Sequence, residues 1–315
     1  MAARGGSDVV SAPDIELAEA PAARAGFRDR ITAGIARGLI AAARRGKWPE
    51  NLKFGERLGD LARTIGLRRR VARENLALAF PEKSDRERDE ILREHYHELG
   101  RVCIEYARFA GLANAPPGEV LTRITGAEHL QRVREEGRGA ILLTGHFGNF
   151  ELMGAMLAKI HPTFVVVKPL SNPLMDEWIT AERSSAALRL IPIGSAMRGA
   201  FAALKANHWI EMVADQDARR HGVFVPFFGR LASTPVGPAE LALRARAPIV
   251  MGFGFRLPDG RFELRIDPPL TIDSPKAPDA AQRLTAAHTA RLEAMIRERP
   301  SAWFWLHRRW KTPPP

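Results

Sequence analysis

Cysteine occurs once in the 315 residues. The lone Cys103 excludes an intramolecular disulfide framework and any cysteine-rich zinc site, and its place on an apolar helical face is that of a buried structural thiol in a reducing compartment. No uncharged apolar run reaches the ~18 to 20 residues that a membrane-spanning helix needs, and the N-terminus is no secretory signal. No HExxH spacing occurs and the histidines are scattered, so no metal site is expected. No GxSxG motif is present, which argues against a nucleophilic serine and a covalent acyl-enzyme. Aromatic residues make up only 7% of the chain, and neither a basic repeat nor a known nucleic-acid motif accompanies them, so nucleic acid is not an expected partner. Internal repeats are absent.

Positive charge is abundant. Lys and Arg number 47 against 36 Asp and Glu, giving a formal net charge of +11 and an attraction to polyanions such as an anionic membrane surface or a phosphorylated substrate. Residues 1–24, rich in Ala, Gly, Ser and Pro, are expected to be disordered. The segment FRDRITAGIARGLIAAARRGK that follows sets Ile31, Ile35 and Leu39 at helical spacing among arginines. That is the composition of a helix lying in a membrane interface, although a surface helix docked on its own domain has the same pattern.

The rest divides into two regions. Residues 25–118 read as a helical, membrane-associating region. Within it Phe54, Leu58, Leu61 and Ile65 form a stripe, and Ser84 with Glu87 offers a capping box ahead of an apolar face running from Ile91 to Tyr106. From residue 119 to 315, short apolar runs (AILLTG, TFVVVKP, LRLIPIG, WIEMVAD, APIVMGFGF, RFELRID) alternate with helical patterns at 150–160, 173–187, 196–206, 235–246 and 279–298. This predicts an α/β domain with a mixed, mostly parallel sheet flanked by helices, packed with the N-terminal helices as one unit. Thr234 is placed to cap the helix at 235–246. The chain ends in SAWFWLHRRWKTPPP, whose tryptophans suit a core or a membrane interface.

One stretch carries chemistry: TGHFGNFE, Thr144 to Glu151, directly after the apolar run AILL. In one continuous helix His146 and Glu151 would point about 140° apart. If a strand ends near Leu143 and a helix opens near Phe150, His146 stands on the turn at the strand's carboxyl end, and Glu151 in the first helical turn can reach back to it. A carboxylate on one imidazole nitrogen fixes the tautomer and raises the basicity of the other, making a general base. Gly145 and Gly148 permit tight geometry there, and the first NH groups of the helix are placed for an oxyanion.

GHFGNFE resembles the His-x4-Asp/Glu signature of the glycerolipid and lysophospholipid acyltransferase superfamily, and the surrounding chain looks like its bacterial lipid A biosynthesis branch. RRRVARENLALAFPEKSDRER, VVVKPLSNPLMD, ADQDARRHGVFVPFFGRLASTPVGPAELALRARAPIV and WFWLHRRWKT are similar to further family blocks, in order, over residues 65 to 312. The resemblance implies a glycerolipid acyltransferase-like fold with His146 as catalytic base and Glu151 as its partner. It implies substrate-binding roles for Gly148, Asn149, Lys168, Arg183, Asp215, Gln216 and Asp217. The implied donor is an acyl thioester on acyl-carrier protein or CoA, with no other cofactor, and the implied acceptor is a hydroxyl of a lipid A precursor or similar glycolipid. Lysophospholipid, phosphatidylinositol mannoside and aminolipid acceptors, or a catalytically silent membrane-binding homologue, are the alternatives. The implied location is the cytoplasmic face of the inner membrane, held peripherally or monotopically by the N-terminal helices.

Overall fold

The computed structural model describes residues 25–116 and 118–315; the expectation of disorder for residues 1–24 lies outside them. Five helices come first among the described residues: α1 (Phe27–Arg45), α2 (Trp48–Thr64), α3 (Arg69–Ala79), α4 (Asp85–Ala107) and α5 (Phe109–Ala113). The capping box forms as the sequence predicts, with Ser84 accepting from the Glu87 NH and the Glu87 carboxylate accepting from the Ser84 NH. Helices α2 and α4 touch backbone to backbone, because Gly55, Gly59 and Gly100 leave no Cβ between them.

The remaining elements alternate: β1 (Leu121–Thr125), α6 (Ala127–Glu135), β2 (Ala140–Thr144), α7 (Phe150–Leu157), β3 (Thr163–Val167), α8 (Pro173–Ser185), β4 (Arg189–Pro192), α9 (Ala196–Lys205) and β5 (Trp209–Val213). A hairpin of β6 (Val223–Phe227) and β7 (Arg230–Thr234) follows, then α10 (Gly237–Ala245), β8 (Ile249–Arg256), β9 (Phe262–Ile266) and α11 (Ala280–Glu298). Seven strands form one sheet in the order β1-β9-β8-β2-β5-β3-β4, parallel except between β8 and β9. The predicted fold class is therefore the observed one. Strand β2 is buried along its whole length, as a central parallel strand covered on both faces must be. Leu76, Leu92 and Tyr96 of the N-terminal helices join the same apolar cluster as Ile141 and Ile210 of the sheet.

Two local expectations are overturned. Cys103 is exposed, because the face of α4 that packs inward is built from Leu92, Tyr96, Ile104 and Ala107. Thr234 ends β7 instead of capping a helix; its hydroxyl accepts from Arg309, and α10 starts at Gly237. Strand β1 and the β6–β7 hairpin carry no clear alternation and were not foreseen.

Candidate active site

The HFGNFE segment folds where the spacing places it. β2 ends at Thr144, and α7 begins at Phe150 with Asn149 as N-cap, its Oδ1 accepting from the Leu152 NH at 3.1 Å. Gly148 takes φ +54, a left-handed conformation that L side chains rarely adopt. The C-terminal segment clasps this turn. Gly148 NH donates to the Ala302 carbonyl, Phe304 NH to the His146 carbonyl, each at 2.9 Å, and Phe147 pairs with Trp303 as an antiparallel bridge.

The His146 imidazole does not bond Glu151. Its Nδ1 lies 2.6 Å from Asp215 Oδ1, while Asp215 Oδ2 accepts from the His146 backbone NH at 2.8 Å and from Trp303 Nε1 at 2.7 Å. Strand register is the reason. β2 and β5 are parallel neighbours with Thr144 opposite Val213, so two residues further on His146 stands beside Asp215. Gly145 lets the strands' ends close on each other, since a Cβ there would meet the Asp215 carboxylate at 3.0 Å and Leu292 at 2.8 Å.

Glu151 instead receives Arg183 of α8 through both oxygens, at 2.7 and 2.8 Å, with both side chains largely buried. The expected His146–Glu151 hydrogen bond is thus corrected to His146–Asp215. Helix α7 does begin between the two motif residues, but its first turn aims Glu151 toward α8.

Burial opposes charge on both dyad members, and the pairing outweighs it. Asp215 is held down to about 2 by the His146 charge and by hydrogen bonds from His146 and Trp303. Desolvation works against the imidazolium of His146, yet the Asp215 charge and hydrogen bond, with a smaller push from Glu151, raise its pKa above the ordinary histidine value. With Nδ1–H given to Asp215, Nε2 is the free acceptor, and it faces Gln216 Nε2 at 3.3 Å. The imidazole is 30% exposed and is flanked by the rings of Phe150 and Phe304. A base open on one side and walled by aromatics is suited to a substrate with an apolar part.

The other predicted positions scatter. Asp217 binds the chain's own C-terminus, accepting from Arg219 NH, Thr312 NH and Thr312 Oγ1. Lys168 lies exposed just past β3, without an ion pair among the described residues. Asn149 is structural on both ends, because its Nδ2 also donates to the fully buried Glu105 at 2.9 Å.

Glu105 in turn holds Arg256, which reaches Glu98, which meets Arg101. This buried chain anchors the turn to α4. The sequence signalled neither it nor Trp303 as part of the site, since its members are far apart along the chain. Among the described residues no cluster of His, Cys, Asp and Glu is arranged to hold a metal ion.

The sequence pattern described as bacterial lipid A biosynthesis acyltransferase matches residues 36–312. The chain is 32% identical over 275 residues to the lipid A biosynthesis lauroyltransferase of Escherichia coli K12, covering 85% of this chain and 87% of that protein. It is 28% identical to the palmitoleoyltransferase of the same organism, over 83% of this chain and 85% of that one. The phosphatidylinositol mannoside acyltransferase of Mycolicibacterium smegmatis is 27% identical, over 70% and 73% of the respective chains.

Proposed function

The chain belongs to the bacterial lipid A biosynthesis acyltransferase family and is an acyltransferase; from that premise we propose that it moves a fatty acyl chain from a thioester to a hydroxyl of a lipid A precursor or similar glycolipid. The observation that carries the mechanism is the hydrogen bond from His146 Nδ1 to Asp215. It leaves Nε2 to take the proton from the attacking hydroxyl. The alkoxide then adds to the thioester carbonyl, and the tetrahedral intermediate collapses with the thiolate leaving. The imidazolium, stabilised by Asp215, returns its proton to that thiolate, so no covalent acyl-enzyme forms.

Acyl-carrier protein or CoA is the proposed donor, and the chain's excess of positive charge suits either one, as it suits a phosphorylated acceptor. The proposed location is the cytoplasmic face of the inner membrane, on its surface. No described helix is long and apolar enough to cross a bilayer, while Phe27, Ile31, Ile35 and Leu39 expose one apolar stripe of α1.

The test has two arms. Replacing His146 by Ala should abolish acyl transfer and leave vesicle binding near that of the parent, with a lowered melting temperature because the buried Asp215 loses its imidazole partner; retained turnover rejects the base. Mass spectrometry of lipids from a deletion strain should show a lipid A species short of one acyl chain. A phosphatidylinositol mannoside, lysophospholipid or aminolipid changing instead would reassign the acceptor.

A further inference from the structure

A cavity of about 880 Å³, within the size range of small-molecule sites, opens between α2, α4, the β1–β9–β8 edge of the sheet and residues 299–302. Phe147 of the catalytic turn forms part of its wall, whereas His146 does not line it. Six cationic side chains and four carboxylates face this space. Each carboxylate is already held by an arginine: Glu56 and Glu98 by Arg101, Glu98 also by Arg256, Glu263 by Arg123, and Asp259 by Arg261. Arg265 pairs with Glu298, outside the cavity lining. Lys53 and Arg299 remain, forming no ion pair among the described residues, so two positive charges are left over.

Those charges have neutral and buried company. The Arg299 guanidinium lies 5.9 Å from the Phe255 ring centroid and Arg265 lies 4.8 Å from it, so one aromatic face supports both; Arg265 spends its N–H groups on Glu298, whereas those of Arg299 stay available. Arg256, whose side chain is 7% exposed, has a buried Nη2 with no hydrogen-bond partner, an unspent charged donor at the cavity wall. Thr125 and Ser301 add hydroxyls.

We propose that this cavity binds a phosphate monoester, with Lys53 and Arg299 as its principal charge partners. A monoester carries about −1.5 to −2 at neutral pH, which matches the surplus, and its oxygens accept from guanidinium and hydroxyl donors alike. Resting on the glycolipid reading above, the ester is the phosphorylated headgroup of the acceptor. Phe147 then links the occupied cavity to the turn that carries the base.

Isothermal titration of the full chain at fixed ionic strength tests this with glucose 1-phosphate, glucose and inorganic phosphate. The sugar phosphate should bind and glucose should not. Replacing Lys53→Gln together with Arg299→Gln should weaken sugar-phosphate binding at least tenfold, and Arg299→Lys alone should retain most of it. Both side chains are exposed, so the melting temperature should hold.

Inorganic phosphate binding as tightly as the sugar phosphate keeps the site and assigns it to free phosphate instead of a headgroup. No binding of either phosphate by the parent, or equal binding by the double variant, overturns it. The measurement involves no acyl transfer, so loss of the catalytic reading and loss of this site are separable.

Discussion

At Asp215 three donors converge on one buried carboxylate, and the two carboxylates near His146 therefore do different work. Replacing Asp215 by Asn should lower the rate by ~10² to 10⁴, since an amide no longer enforces the tautomer or stabilises the imidazolium. The pH dependence separates the roles. His146 acts as base only when neutral, and its pKa is raised, so activity should fall as pH drops through a value above 6.5. Asp215→Asn should move that acidic limb to lower pH. Glu151→Gln should move it less and act chiefly by leaving Arg183 buried without its carboxylate, a stability loss of about 3 to 5 kcal/mol visible in denaturant melts. Equal displacement of the limb by both variants would contradict this assignment. The depressed Asp215 should also stabilise the fold above the usual carboxylate range, and that contribution should vanish as pH falls toward about 2.

Between elements, the contact of α7 with β5 shows how the site is underpinned. Glu211 points from β5 into the interior with Oε2 unpaired, and burial, with a smaller push from the Glu151 charge, raises its carboxyl well above the ordinary carboxylate range. Gly154 of α7 is the residue that makes room, because any Cβ there would overlap the Glu211 carboxyl. Gly154→Ala should accordingly cost about 1 to 3 kcal/mol by overpacking, and adding Glu211→Ala should recover most of it in a double-mutant cycle. Additive losses would show that the two residues do not share the space. Glu211→Gln, which keeps shape without a titrating group, should be tolerated and should lose less stability than the parent as pH rises above the ordinary carboxylate range.

Over the whole molecule, α1 packs on α4 and α8 with one side and leaves an apolar stripe exposed on the other, the surface proposed above to meet a membrane. Its Ala33 and Ala43 are buried, while Phe27, Ile31, Ile35 and Leu39 are 79%, 48%, 62% and 42% exposed at a spacing of four. Arginines flank the stripe, and the molecule carries +11 overall. Ile31→Glu with Ile35→Glu should reduce binding to vesicles containing anionic phospholipid at least tenfold in a flotation assay, while turnover of detergent-dispersed substrate persists. Undiminished flotation would return α1 to the status of an ordinary surface helix.

The alternation of apolar runs with helical patterns, the capping box at Ser84 and Glu87, and the turn between Leu143 and Phe150 are local properties, set by side-chain period and by backbone groups a few residues apart. They were legible for that reason, and His146 at a strand's carboxyl end came with them. Strand order is not local. Which strand lies beside β2 depends on how every helix packs, and only that adjacency brings Asp215, 69 residues away, onto the imidazole in place of Glu151 at five. The same holds for Trp303 and for the Glu105–Arg256 chain. A sequence specifies which groups are present and their near neighbours, while burial and strand register decide which of them share a hydrogen bond.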